Sequence, residues 1–298
     1  MDAFFPVDLA EALAVKAARP DAVPVAGGTD LMVDLNFGRR HPPAVVDVSR
    51  LPELLAWHAD GSHLFVGAGV TYSRILSGEL PSTPPLAAAS RTIGSRQIRN
   101  RGTVGGNLGT ASPAGDALPV LAALDAEVVL AGAEGGPRAE RRVPLDAFLV
   151  GPKQTSLQPH ELILGTRVKL VRGPGVFSKI GARNAMVIAV ASVCLVLDED
   201  ARRVRLAAGS VGPTVTRLRR VEAVLEEVLA SAGAWDDPSA VVDPAGVHDA
   251  ARLMEVSVRP IDDARGTAAY RRHACGVLVR RALRWALDER MGAMQVPA

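Results

Sequence analysis

The chain has 298 residues, a formal net charge of +2, 48% apolar residues and 4% aromatic ones. That length holds two domains or one elaborate one around a buried core, and the near-balanced charge, with no basic block interleaved with aromatics, excludes a nucleic-acid-binding surface. Cys194 and Cys275 stand alone and the histidines are scattered, so no iron–sulfur cluster or structural zinc is held by this chain; with no membrane-spanning apolar run and no charged leader, a cytoplasmic protein without metal ligands is expected.

Apolar spacing predicts a helix over 6–18 with Asp8 as its N-terminal acid, and strands over 23–26 and 44–48. Between those strands stands Ala26-Gly27-Gly28-Thr29-Asp30, a glycine turn leading into a helix from about Thr29. Such a helix directs its unpaired N–H groups and positive dipole end at the turn, which suits a phosphate. A strand follows over 62–68, a helical turn over 72–77, and a helix over 85–93 that runs into a glycine-rich stretch.

That stretch, 91–116 (RTIGSRQIRNRGTVGGNLGTASPAGD), joins glycines, small hydroxyl residues and arginines with almost no core-forming bulk. Gly102, Gly105, Gly106 and Gly109 let backbone N–H groups close in on an oxygen-rich anion, and diphosphate is the expected guest, gripped from this stretch and from the first turn. The candidate donors are the amides of Gly27, Gly28, Thr29, Gly105, Gly106 and Asn107, with the Thr29 and Thr103 hydroxyls. Replacing Gly105 or Gly106 by a bulky residue is expected to abolish ligand binding while leaving the fold largely intact. Further on, a short helix is expected over 117–124, strands over 127–130 and 162–170, a surface turn over 132–137 and a linker at 173–175. The last part reads as strands over 189–198 and 204–210 followed by helices over 218–229 and 268–291, an α+β pattern.

These residues resemble a known family. The segments 26–31 (AGGTDL), 97–107 (QIRNRGTVGGN) and 111–116 (ASPAGD) are similar to the two FAD-binding motifs of the medium subunit of the molybdenum hydroxylases, the group of xanthine dehydrogenase and carbon monoxide dehydrogenase. The likeness continues in 177–185 (FSKIGARNA) and in 262–272 (DDARGTAAYRR), so it runs through nearly the whole chain in order. It implies an α+β fold: a two-lobed vanillyl-alcohol-oxidase (PCMH) type FAD-binding domain, lobes 1–55 and 56–172 with FAD between them, and a C-terminal α+β domain over 173–298 like that of carbon monoxide dehydrogenase flavoproteins.

The resemblance also implies FAD contacts at Pro24, Val25, Ala26, Gly27, Gly28, Thr29, Asp30, Leu31, Ile93, Thr103, Val104, Gly105, Gly106, Asn107, Asp116, Ile163, Leu164, Phe177 and Lys179. Asp30 is read as a helix cap or a partner of a ribityl hydroxyl. Asp116 is read as an acceptor of flavin hydroxyls or as the N-cap of the helix after it. Lys179 is read as a cation stabilising reduced, anionic flavin, or as a solvated strand lysine. Phe177 falls where some members have a flavin-facing Tyr, and Ile93 where eukaryotic xanthine enzymes have a Phe. Arg96, Arg99 and Arg101 could pair with phosphates or with a partner's acidic surface; structural or partner contacts are favoured over phosphates because the glycine amides already suit the diphosphate.

The function implied is electron relay, with no catalytic residue of its own: electrons pass from the 2Fe–2S clusters of one partner subunit to FAD and on to NAD+, quinone or oxygen. The substrate is oxidised at molybdopterin on a large partner subunit, in a dimer of heterotrimers. The alternative is a free-standing FAD-dependent oxidoreductase of the same fold, which needs a base beside the flavin that the glycine motifs do not supply. Rossmann or P-loop binding is disfavoured, since neither GxGxxG nor GxxxxGK[ST] occurs.

Overall fold

The structure is a computed structural model that describes residues 1–81, 83–132 and 140–292. The turn expected over 132–137 lies, from Ala133 on, outside the described residues. The chain divides into two units: the first takes 1–82, 93–112 and 125–169, and the second takes 83–92, 113–124 and 170–298. The segments 83–92 and 113–124, expected within a second FAD-binding lobe, thus belong with the C-terminal residues.

The first unit begins with a three-stranded parallel sheet in the order Asp2–Phe4, Ala44–Asp47, Ala22–Val25. Parallel neighbours require a crossover, and the helix Leu9–Ala18 supplies one. Asp8 caps it, accepting from the Glu11 amide at 2.8 Å, while Glu11 reaches back to the Val7 amide at 2.8 Å. A second sheet of five antiparallel strands follows, in the order Trp57–Asp60, His63–Gly67, Glu161–Lys169, Glu127–Gly132, Glu140–Pro144. Leu13, Val46, Leu51, Leu54, Val129 and Leu162 bind these parts into one core.

The glycine-rich stretch is largely helical. It forms two short helices, Arg96–Arg101 and Val104–Thr110, started by Ser95 and Thr103, whose hydroxyls accept from the amides of Ile98 at 3.3 Å and Gly106 at 3.0 Å. Glycine costs a helix about 1 kcal/mol relative to alanine. The cost is accepted here for close packing, because a Cβ on Gly105 would stand 2.4 Å from the Cβ of Ala68.

The second unit is built on an antiparallel sheet in the order Gly175–Ile180, Ala191–Asp198, Arg203–Gly209, Thr216–Arg217. Every residue of Ala191–Asp198 is buried, because the helix Ala268–Arg290 and the helix Ala117–Ala123 both pack on it. That explains a continuous apolar run in place of alternation. The helices Arg219–Ser231 and Pro244–Ser257 complete this core, and Pro84–Thr92 packs against Gly175–Ile180. The expected linker is a packed turn: a Cβ on Gly173 would lie 2.1 Å from the Leu197 carbonyl oxygen.

Cys194 and Cys275 are both free and buried, as read from their apolar surroundings. Among the described residues no cluster of three or more His, Cys, Asp or Glu is placed to hold a metal ion, and no helix is long and apolar enough to cross a membrane.

Candidate functional site

In the first unit the site starts at the C-terminal end of the strand Ala22–Val25, where the chain turns through Ala26 to Asp30 into the helix Leu31–Asn36. The first bond of that helix runs from the Met32 amide to the Gly28 carbonyl, 3.0 Å. Among the described residues none accepts from the backbone N–H groups of Gly27, Gly28, Thr29, Asp30 or Leu31. Five successive amides are therefore open to an external anion, as expected of a nest at a helix start. Both glycines are required: Gly28 has φ +73°, and a Cβ on Gly27 would fall 1.8 Å from the carbonyl oxygen of Arg101. Pro24 is exposed, while Val25, Ala26 and Leu31 are half-buried beside the turn.

The two glycine motifs meet. Gly27 lies on the end of the helix Arg96–Arg101, and the Thr110 hydroxyl donates to Asp30 Oδ2 at 3.1 Å. Asp30 therefore ties the motifs together; its side chain makes no capping bond, a correction to its reading as a helix cap. Thr110 carried no signal in the sequence.

The second motif plays a different part from the one expected. The Gly105 amide donates to the Ala68 carbonyl at 2.8 Å, the Gly106 amide to Thr103 Oγ1 at 3.0 Å and the Asn107 amide to the Thr103 carbonyl at 3.0 Å. All three expected diphosphate donors are engaged within the chain, as is the Val104 amide, which donates to the Val70 carbonyl at 3.0 Å. The correction has a plain cause: helix formation consumes amides that a loop would have left open. What remains for a ligand is the Thr103 hydroxyl proton and the Asn107 carboxamide, whose Oδ1 is buried without a hydrogen-bond partner. Ile163 stands beside this helix, its Cδ1 3.5 Å from where a Cβ on Gly109 would be. Leu164 is buried at a bulge, its carbonyl accepting from the Ala68 amide at 2.8 Å. Ile93 is half-buried and its carbonyl accepts from Arg99 at 3.1 Å.

In the second unit Lys179 and Asp116 form an ion pair of 2.6 Å, their side chains 10% and 8% exposed. The Lys179 ammonium also donates to the carbonyls of Thr92 and Val187, each at 3.0 Å, so its three protons are all placed. Lys179 is thus neither solvated nor a free cation. Asp116 has helical dihedrals and no capping bond, which corrects its reading as an N-cap; it holds Lys179 and lies 3.0 Å from the Thr92 hydroxyl. Burial raises the Asp116 pKa above 3.8, with Lys179 opposing, and Oδ1 has no partner. Phe177 is buried in the sheet opposite Cys194. Neither Thr92 nor the Val187 carbonyl was marked in the sequence as a partner of this pair.

Residues 1–168 match the FAD binding domain in molybdopterin dehydrogenase, and residues 177–286 match the CO dehydrogenase flavoprotein C-terminal domain. The glyceraldehyde dehydrogenase medium chain of Sulfolobus acidocaldarius is 32% identical over 282 residues, covering 93% of this chain and 94% of that one. The carbon monoxide dehydrogenase medium chain of Hydrogenophaga pseudoflava is 30% identical over 269 residues, 88% of each. A solved carbon monoxide dehydrogenase from Hydrogenophaga pseudoflava, lacking the Mo-pyranopterin moiety of its molybdenum cofactor, superposes with a TM-score of 0.84 at 28% identity over 96% of each chain. With both domains matched in order, the chain belongs to the FAD-binding medium subunits of the molybdenum hydroxylase family, and is an oxidoreductase subunit of mixed helix and strand whose cofactor is FAD.

Proposed function

We infer that this chain relays electrons from the 2Fe–2S clusters of a partner subunit to an external acceptor such as NAD+, quinone or oxygen. A large molybdopterin subunit completes the assembly, as a dimer of heterotrimers. The observation that carries the reading is the run of five open amides from Gly27 to Leu31 inside a matched FAD-binding domain. The residues fit the group: the amides suit its diphosphate, and the orphaned Oδ1 of Asn107 awaits a hydroxyl donor. Bound FAD supplies the redox chemistry, and the chain supplies anchoring and electrostatics. The described residues hold no metal cluster of their own, so the reading requires partners that do.

The test is to purify the chain from its native cells with whatever accompanies it, then measure absorbance, released flavin and metals. The expected result is FAD together with molybdenum and about four irons per chain, on separate subunits. FAD on a solitary chain without metals would replace the relay by the free-standing flavoenzyme.

A further inference from the structure

Arg101 is a residue of the glycine motifs that the reading above leaves without a role. The sequence favoured structural or partner contacts for the arginines of this segment, on the ground that the glycine amides already suit the diphosphate. The structure removes that ground, since the amides of Gly105, Gly106 and Asn107 are engaged within the chain. It also separates the arginines. Arg99 donates to the carbonyls of Ile93 and Gly94 at 3.1 and 3.0 Å and so closes its own turn. Arg101 is exposed, and among the described residues its side chain makes no ion pair or hydrogen bond.

The position of Arg101 is specific. Its carbonyl oxygen occupies the place where a Cβ of Gly27 would project, 1.8 Å from that point, so its Cα is one peptide unit from the turn with the open amides. The charges around that turn are unfavourable for an anion. Asp30 and Asp34 both stand at the start of the helix Leu31–Asn36, and among the described residues Lys153, 4.0 Å from Asp34, is the cation paired with either of them. The open amides carry partial charges, and the Arg101 carbonyl turns a negative one toward Gly27. A doubly charged diphosphate there gains from a full cation within reach, and arginine presents a fork of donors that matches phosphate oxygens.

We propose that Arg101 is the counter-charge of the FAD diphosphate, its guanidinium closing over the phosphates held by the Gly27–Leu31 amides. This rests on the flavin reading above and adds to it a residue that selects for the phosphate-bearing part of the cofactor.

The experiment uses the complex as isolated, stripped of flavin and titrated with FAD and with riboflavin, which has no phosphate, by quenching of flavin fluorescence. R101Q is expected to weaken FAD about tenfold and riboflavin hardly at all, with R101K recovering most of the loss. Raising salt from about 0.05 to about 0.5 M should weaken FAD on the wild type more than on R101Q, since screening acts on the missing charge. Equal FAD affinity and salt response in wild type and R101Q overturn the proposal, as does an equal loss for both ligands, which marks a packing defect. A wild-type complex that takes up no FAD overturns the flavin reading itself.

Discussion

Replacing Lys179 by methionine tests what the buried pair does. The substitution keeps the apolar stem and removes the three bonds to Asp116, Thr92 and Val187. Asp116, 8% exposed, is left as a buried carboxylate without a cation. Such losses cost about 3–5 kcal/mol. The carboxyl can escape by taking a proton, and that sets a ceiling: holding an acid of unfolded pKa 3.8 neutral costs about 4 kcal/mol at pH 7 and about 1.6 at pH 5. The sign follows from linkage. A carboxyl whose folded pKa lies above its unfolded one gains stability below the unfolded value and loses it as pH rises through the folded value. Burial already raises Asp116, with Lys179 as the principal opposing influence, so Lys179→Met widens that window upward. Urea unfolding is the assay: the midpoint should fall by about 1–2 M at pH 7 and by clearly less at pH 5. Adding Asp116→Asn should restore much of the loss and abolish its pH dependence. A pH-independent loss, or a double variant as unstable as the single one at pH 8, would refute the assignment of the cost to an orphaned carboxylate.

Gly105→Ala is expected to destabilise the chain by about 1–3 kcal/mol through collision with Ala68, whereas Gly106→Ala, exposed and 3.0 Å from Thr103 Oγ1, should leave the melting temperature within a few degrees. Equal melting temperatures would show that the close approach of Gly105 is unimportant, and that its substitution tests the ligand alone. Burial pushes the Cys275 thiol up to about 12 and the Cys194 thiol further still, so a thiol reagent at about pH 8 should label neither until the chain is denatured; rapid labelling of the native chain would contradict their burial. The Arg265 amide, then Arg271, hold Asp263 down to about 2, so its contribution is present above 3.8 and lost as pH falls toward 2; Asp263→Asn should flatten acid unfolding in that window, and an unchanged acid limb would remove Asp263 from the account.

Much of the fold was legible because its signals are local. The helix Leu9–Ala18 announced itself by apolar spacing after Asp8, and Ala191–Asp198 by a continuous buried run. Other elements carry no such signal. Asp2–Phe4 is a strand only because Ala44–Asp47 lies beside it, and Thr216–Arg217 is a strand of two residues paired to Ala207 and Ala208. Pro244–Ser257 does carry a start signal, Asp243 as N-cap followed by a proline at the first helical position, but it holds few large apolar residues, so periodicity does not mark it and its neighbours bury mainly Ala250, Ala251 and Met254. The pairing of Lys179 with Asp116 joins residues 63 apart, a contact that no spacing rule reaches.

The two glycine motifs look alike in composition and differ in what their backbones are free to do. In 26–31 the glycines fit a positive φ and a close approach to Arg101, and five amides stay open. In 102–109 Gly105 fits helix packing on Ala68, and the amides of Gly102, Gly105, Gly106 and Asn107 are engaged. Composition reports that side chains are absent; it does not report whether that absence serves a ligand or a neighbouring strand. Only the destination of each N–H separates the two, and that destination is set by the caps Ser95 and Thr103, which convert a loop-like sequence into helix. An anion site in such a chain is therefore located by asking which amides the fold leaves unpaired, and in the first unit the answer is the turn at Gly27 and Gly28 with Arg101 at its edge.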